Sequence, residues 1–205
     1  MGITHQDVLI VVDVQRDFCP GGALPVPDGD AVIPVIHAIA GRFEPMVLTQ
    51  DWHPPGHCSF ASSHPGRKPF DLDPVSGERL WPDHCVQGTR GAELHPSLQL
   101  SSAELILRKG LNHEMDSYSA FFENDHRAAT GLAGWARERG FRRFFFAGLA
   151  YDFCVGFSAL DARRCGFEAV VIRDACRAID AGGSVAAMDA DLARAGVSVV
   201  DSCSL

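Results

Sequence analysis

The stretch DVLIVVD, residues 7–13, decides the fold: five consecutive apolar residues lie between two carboxylates. A continuous run of this kind is what a strand buried on both faces of a parallel sheet requires. Working outward, similar short runs recur at 45–50, 104–109, 142–148, 168–173 and 197–201. Between them lie longer segments at helical spacing, 30–43, 129–139, 152–165 and 183–195. Strands interleaved with helices predict an α/β protein, a doubly wound sheet of about six parallel strands with helices on both faces.

One interval breaks this rhythm. From about 51 to 102 no strand or helix pattern holds, and Pro, Gly, His and Trp accumulate. A loop so long inside a compact domain is functional or disordered, and its aromatic content argues against disorder. The expectation is a single domain over 1–205 carrying a long, metal-organised loop.

Composition narrows the function. The 205 residues are 46% hydrophobic and carry a net charge of −8. An acidic chain without a basic run is a poor ligand for nucleic acid, whose affinity depends on clustered Lys and Arg. The longest apolar runs, at 8–12 and 144–150, fall far short of the ~20 residues a membrane-spanning helix needs. No basic-then-apolar leader opens the chain, so the expectation is a soluble, cytoplasmic protein. Seven cysteines, an odd number with no C-x-x-C pair, read as reduced thiols. A homo-oligomer is left open.

In an open α/β sheet, ligands bind beyond the carboxyl ends of the strands. Asp13 closes the first strand, Asp51 follows the second, Lys109 closes the third and Cys154 lies just past the fourth. Each alone has a bland reading as a cap, a solvated end or core; four reactive residues at four successive strand ends do not. Cys154 is the candidate nucleophile, because a thiol where a strand turns into a helix meets the positive end of the helix dipole. Lys109 would favour its thiolate further, and Asp13 would take its proton. Cys165 and Cys176 suit packing, one mid-helix and one in a strand-end turn. Asp51 and His53, two residues apart, with His84 further along the loop, suit an open Lewis-acid metal site. His57, His64 and Ser59 compete as further ligands, and for His57 and His64 the favoured expectation is a solvated loop histidine.

The blocks DVLIVVDVQRDFCPGGAL (7–24), LTQDWHPPGHCSFAS (48–62), WPDHCVQGT (81–89), KGLNHEMDSYSAFFEN (109–124) and GLAYDFCVG (148–156) resemble the nicotinamidases among the isochorismatase-like cysteine hydrolases. The resemblance runs in order from Asp7 to at least Asp180. It implies Cys154 as nucleophile, Asp13 as general base and Lys109 as third member. It also implies Asp51, His53 and His84 as ligands of one divalent metal, usually zinc, with iron and manganese suiting the same donors. Ser59 falls near a position that varies in the family. Phe18, Trp81 and Tyr118, with Leu24 beside them, would wall a pyridine ring. A non-proline cis bond at Leu149-Ala150 would aim the Ala150 and Cys154 N–H groups at an oxyanion. The implied reaction converts nicotinamide to nicotinate and ammonia in NAD salvage, with pyrazinamide also deamidated. The alternatives are an amidase acting on N-carbamoyl compounds, a catalytically inert ligand-binding relative, and a thiol redox sensor.

Overall fold

The computed structural model describes residues 2–205. Its strands are β1 (Asp7–Val12), β2 (Met46–Asp51), β3 (Leu105–Lys109), β4 (Arg143–Leu149), β5 (Glu168–Arg177) and β6 (Ser198–Val200). They form one all-parallel sheet in the order β3-β2-β1-β4-β5-β6. The expected six-stranded doubly wound sheet is therefore present.

Side-chain alternation along β1 divides the core into two layers. Leu9 and Val11 join α1 (Val32–Ala40), whose Ile33, Ile36 and Ile39 sit at helical spacing on one face of the sheet. Val8, Ile10 and Val12 point the other way, toward α2 (Leu132–Glu138), α3 (Gly156–Arg164) and α4 (Ser184–Ala195), through Leu132, Ala159 and Leu192 among others. With helices on both faces every residue of β1 and β2 is buried, so β1 reads as an unbroken apolar run after Asp7, while β2 is apolar over Met46, Val47 and Leu48 and then carries Thr49, Gln50 and Asp51 toward the site.

Several boundaries differ from the sequence expectation. The first helix is shorter than 30–43, and Gly29–Ala31 ahead of it is a 3₁₀ turn. The last strand shrinks to three residues, while β5 extends past 173 to Arg177. The segment 152–165 is not one helix: Tyr151–Val155 forms a wider π-type turn, and α3 begins only at Gly156. Cys165 consequently caps the end of α3 rather than lying within it, and Cys176 lies inside β5. Between β2 and β3 the only helical piece among the described residues is the 3₁₀ turn Ala61–Ser63, supported by isolated bridges such as His53 with Val86 and Phe60 with Trp81. No helix is long and apolar enough to cross a membrane.

The strand order reverses between β1 and β4. Here Gly148, with φ +117°, is irreplaceable: a Cβ on it would lie 2.1 Å from the Val12 carbonyl oxygen. Its absence lets β4 run tightly beside β1 and then turn toward the carboxyl ends of β1, β2 and β3.

Candidate active site

The four strand-end residues meet in one buried group. Lys109 Nζ lies 3.0 Å from Asp13 Oδ2 and 3.3 Å from Cys154 Sγ, and also binds Asp51 Oδ1. Its remaining contact is the Ser117 carbonyl, at 2.9 Å. Asp13 Oδ1 accepts a hydrogen bond from Thr49 Oγ1 at 2.5 Å. Asp13 Oδ2 is buried and has no aligned hydrogen bond, since its contact with Lys109 is an ion pair of poor direction. That oxygen is free to accept a proton, and carboxylate oxygens of Asp13 and Asp51 and the Cys154 sulfur lie within 4.8 Å of one another.

Electrostatics follow from one cation shared by two carboxylates in a dry site. Burial opposes the charge on Lys109, but Asp13 and Asp51 overcome it and hold the ammonium well above its ordinary range. Burial also opposes ionisation of Asp51, and there Lys109 and His53 win, keeping the carboxyl well below the usual range. For Asp13 burial wins and its pKa is raised, despite Lys109. Cys154 corrects the sequence argument. Its thiol is pushed well above the ordinary range by burial, with Lys109 pulling it back and the two carboxylates adding to the rise. The sulfur sits in the π-type turn ahead of α3, in a cavity that strips solvent from a thiolate. The resting group is a thiol beside a carboxylate of raised pKa.

Asp51 uses its second oxygen differently. Its Oδ2 faces His53 Nε2 at 3.6 Å and His84 Nε2 at 3.8 Å, too far for hydrogen bonds. Each imidazole is oriented from behind by a carbonyl, His53 Nδ1 by Gly110 at 3.1 Å and His84 Nδ1 by Pro82 at 2.8 Å. Three donor atoms within 4.8 Å, with each imidazole tied back through its outward nitrogen, fit a divalent cation. His57 is buried, not a solvated loop histidine. Ser59 N–H donates to its Nδ1 at 3.2 Å, so Nε2 carries the proton and donates to the Asn112 and Met115 carbonyls at 2.9 and 3.2 Å. Both ring nitrogens of His57 are thus engaged, although the ring also belongs to a second group, with His53 and Asp116, whose donor atoms lie within 4.8 Å of one another. His64 is half-buried, with Nε2 2.6 Å from the Cys58 carbonyl.

A pocket opens beside these groups, lined by Phe18, Leu24, Trp81, Tyr118, Ala150 and Cys154 as well as Asp51, His53 and His84. Trp81 Nε1 donates to Tyr118 Oη at 3.2 Å, fixing both rings. Phe18 packs against His84 with ring centroids 5.4 Å apart. The Leu149-Ala150 peptide bond is cis. Phe153 and Val155 both donate N–H to the Ala150 carbonyl at 3.1 Å, folding the turn that carries Cys154.

Sequence reasoning missed several contributors. Phe153, Ile179 and Asp116 also line the pocket. Phe153 meets Trp81 edge-on at 4.9 Å, and Asp116 keeps a buried oxygen without a hydrogen-bond partner. Thr49 supports the Asp13 carboxylate and Gln15 holds the Asp51 backbone, its amide accepting from the Asp51 N–H and donating to the Asp51 carbonyl, both at 2.8 Å. Thr49 was findable, being a polar residue two positions before Asp51 on the same face of a fully buried strand.

Residues 7–202 match the isochorismatase domain family. The chain is 50% identical over 196 residues to a nicotinamidase of Acinetobacter baylyi, covering 95% of this chain and 92% of that protein. Among solved structures, an Acinetobacter baumanii nicotinamidase/pyrazinamidase superposes with a TM-score of 0.96 at 48% identity, covering 98% of each chain. A protein from L. infantum, in complex with nicotinate, gives 0.87 at 42% identity, covering 99% of this chain and 96% of that one. A Pyrococcus horikoshii pyrazinamidase in complex with zinc gives 0.73 at 36%, covering 96% and 99%. This chain belongs to the isochorismatase family and is most akin, among these proteins, to its nicotinamidases.

Proposed function

We propose that the protein is a nicotinamidase, hydrolysing nicotinamide to nicotinate and ammonia through a thioester on Cys154. The observation that carries this reading is the single buried cluster of Asp13, Lys109 and Cys154 opening onto an aromatic pocket, in a chain half identical to a nicotinamidase.

Asp51, His53 and His84 would hold a divalent metal; the zinc-bound relative supports zinc, and iron or manganese suit the same donors. When bound, the ion supplies a Lewis acid for the lone pair of a ring nitrogen. Every other part falls to the chain. Phe18, Leu24, Trp81 and Tyr118 hold the flat ring and exclude water. Asp13 Oδ2 takes the Cys154 proton as sulfur attacks the amide carbon, a pairing suited to a thiol and a carboxyl whose pKa values are both raised. Lys109 keeps the two carboxylates apart in charge and supports the sulfur as it becomes anionic. The Ala150 and Cys154 N–H groups receive the oxyanion. Asp13 returns its proton to the leaving nitrogen and ammonia departs; Asp13 then takes a proton from a water that attacks the thioester carbon, the carbon–sulfur bond breaks to release nicotinate, and the Cys154 thiolate takes the proton back.

The substrate class is tested by a panel. Ammonia release from nicotinamide and pyrazinamide, with none from N-carbamoyl amines, is expected; the reverse pattern would transfer the protein to the ureidohydrolases. The metal reading has its own test at Gly110, where φ is +68° and a Cβ would lie 2.5 Å from His53 Cε1. Gly110→Ala should displace the imidazole and weaken metal affinity by about 10–100-fold, as loss of an orienting partner does elsewhere. Metal content after dialysis against a buffered chelator, with circular dichroism to show the fold intact, measures this directly.

A further inference from the structure

Asp152 lies two residues before Cys154 in the turn Tyr151–Val155, yet its buried carboxylate takes no part in the catalytic group. It reaches instead to the loop between β5 and α4. Oδ1 accepts the Ile179 N–H at 3.0 Å, and Oδ2 accepts the Asp180 N–H at 2.8 Å and the Ser184 hydroxyl at 2.5 Å. That loop has no ladder of its own to hold it, with Asp180, Gly182 and Gly183 all at positive φ. Its one contribution to the pocket wall is Ile179, which packs on the core that contains Phe18, Leu24 and Trp81. On the outside, Arg79 donates to the Ala181 carbonyl at 3.4 Å and the Phe70 carbonyl at 2.9 Å, tying the loop to the segment leading into Trp81.

We propose that Asp152 is a positioning residue, joining the nucleophile's turn to the 178–183 loop so that Ile179 is fixed against the ring and sets which ring substituents the pocket admits. A charged acceptor for three donors is suited to this, since hydrogen bonds to a carboxylate are shorter and stronger than neutral ones. The inference rests on the nicotinamidase reading above.

The test is a double-mutant cycle over Asp152→Asn and Ile179→Ala, assayed with nicotinamide and a ring-methylated nicotinamide. An Asn amide must turn its NH₂ toward at least one of the three donors, releasing the loop. Asp152→Asn is expected to raise KM for nicotinamide by about 10–100-fold with a smaller change in kcat, and to narrow the preference over the methylated ring. In the Ile179→Ala background the same substitution should change either quantity by less than about twofold, because its target is already gone. The rate of Cys154 alkylation by iodoacetamide, read by peptide mapping, should match wild type. Equal losses in both backgrounds, or slowed alkylation with unchanged ring preference, would overturn the proposal. Should Asp152→Asn fail to fold, Ser184→Ala removes one bond of the three and carries the same comparison with a smaller shift. Wild type inert toward nicotinamide would instead refute the functional reading, independently of the cycle.

Discussion

Cys154→Ala will lose turnover of nicotinamide by at least about 10⁴-fold while keeping its fold and its bound metal. The size follows from the chemistry: without the sulfur no acyl-enzyme forms, and only the residual help of binding and oxyanion donors is left. Retention of metal follows from the geometry. The three donors of the cation site are Asp51, His53 and His84; the Cys154 sulfur lies within 4.8 Å of a carboxylate oxygen of Asp51 but takes its hydrogen bond from Lys109. Ammonia release and metal stoichiometry, measured on one preparation, separate the two functions. A variant that lost metal along with activity would mean that the sulfur is itself a ligand.

Lys109→Met will cost both activity and stability. In the metal-free protein Lys109 is the cation that Asp13 and Asp51 share, and all three side chains are buried. Removing one partner of a buried ionic group leaves uncompensated charge, at a cost of about 3–5 kcal/mol. For a chain of this size that corresponds to a fall in Tm of about 10 °C. Metal binding to Asp51 should recover part of the loss, so the gap between wild type and variant is expected to be larger in chelator than with saturating metal. Thermal unfolding under both conditions checks this. An unchanged Tm in chelator would show that the carboxylates are neutralised in some other way.

The sheet was legible because burial on both faces forces a short unbroken apolar run in a central strand such as 8–12, too short for a helix, and because such runs alternate with longer segments at helical spacing. Strand-end placement then picked out Asp13, Asp51, Lys109 and Cys154 before any resemblance was considered. The start of α3 was not legible. Apolar periodicity runs straight through 152–165, whereas the backbone widens at Tyr151–Val155, with Phe153 at φ −129° and ψ −106°. The state of the Cys154 thiol was misjudged for a related reason: a helix terminus and a lysine argue for a thiolate only while the site is wet, and the sequence does not reveal that two carboxylates share that lysine in a closed cavity. His57 was mistaken for a surface residue because its partners, the carbonyls of Asn112 and Met115, lie more than fifty residues away. The aromatic walls came from family resemblance alone, and Phe153 and Ile179, which no motif marks as pocket residues, emerged only from the three-dimensional arrangement.

The measurement that bears most directly on the central claim is the partition of products when metal-replete protein turns over nicotinamide in rising hydroxylamine. A thioester on Cys154 should be intercepted, so that nicotinohydroxamate appears at the expense of nicotinate while acyl product and ammonia remain equimolar. Nicotinate as the sole acyl product at every hydroxylamine concentration, or nicotinamide left intact by folded, metal-loaded protein, would contradict the account.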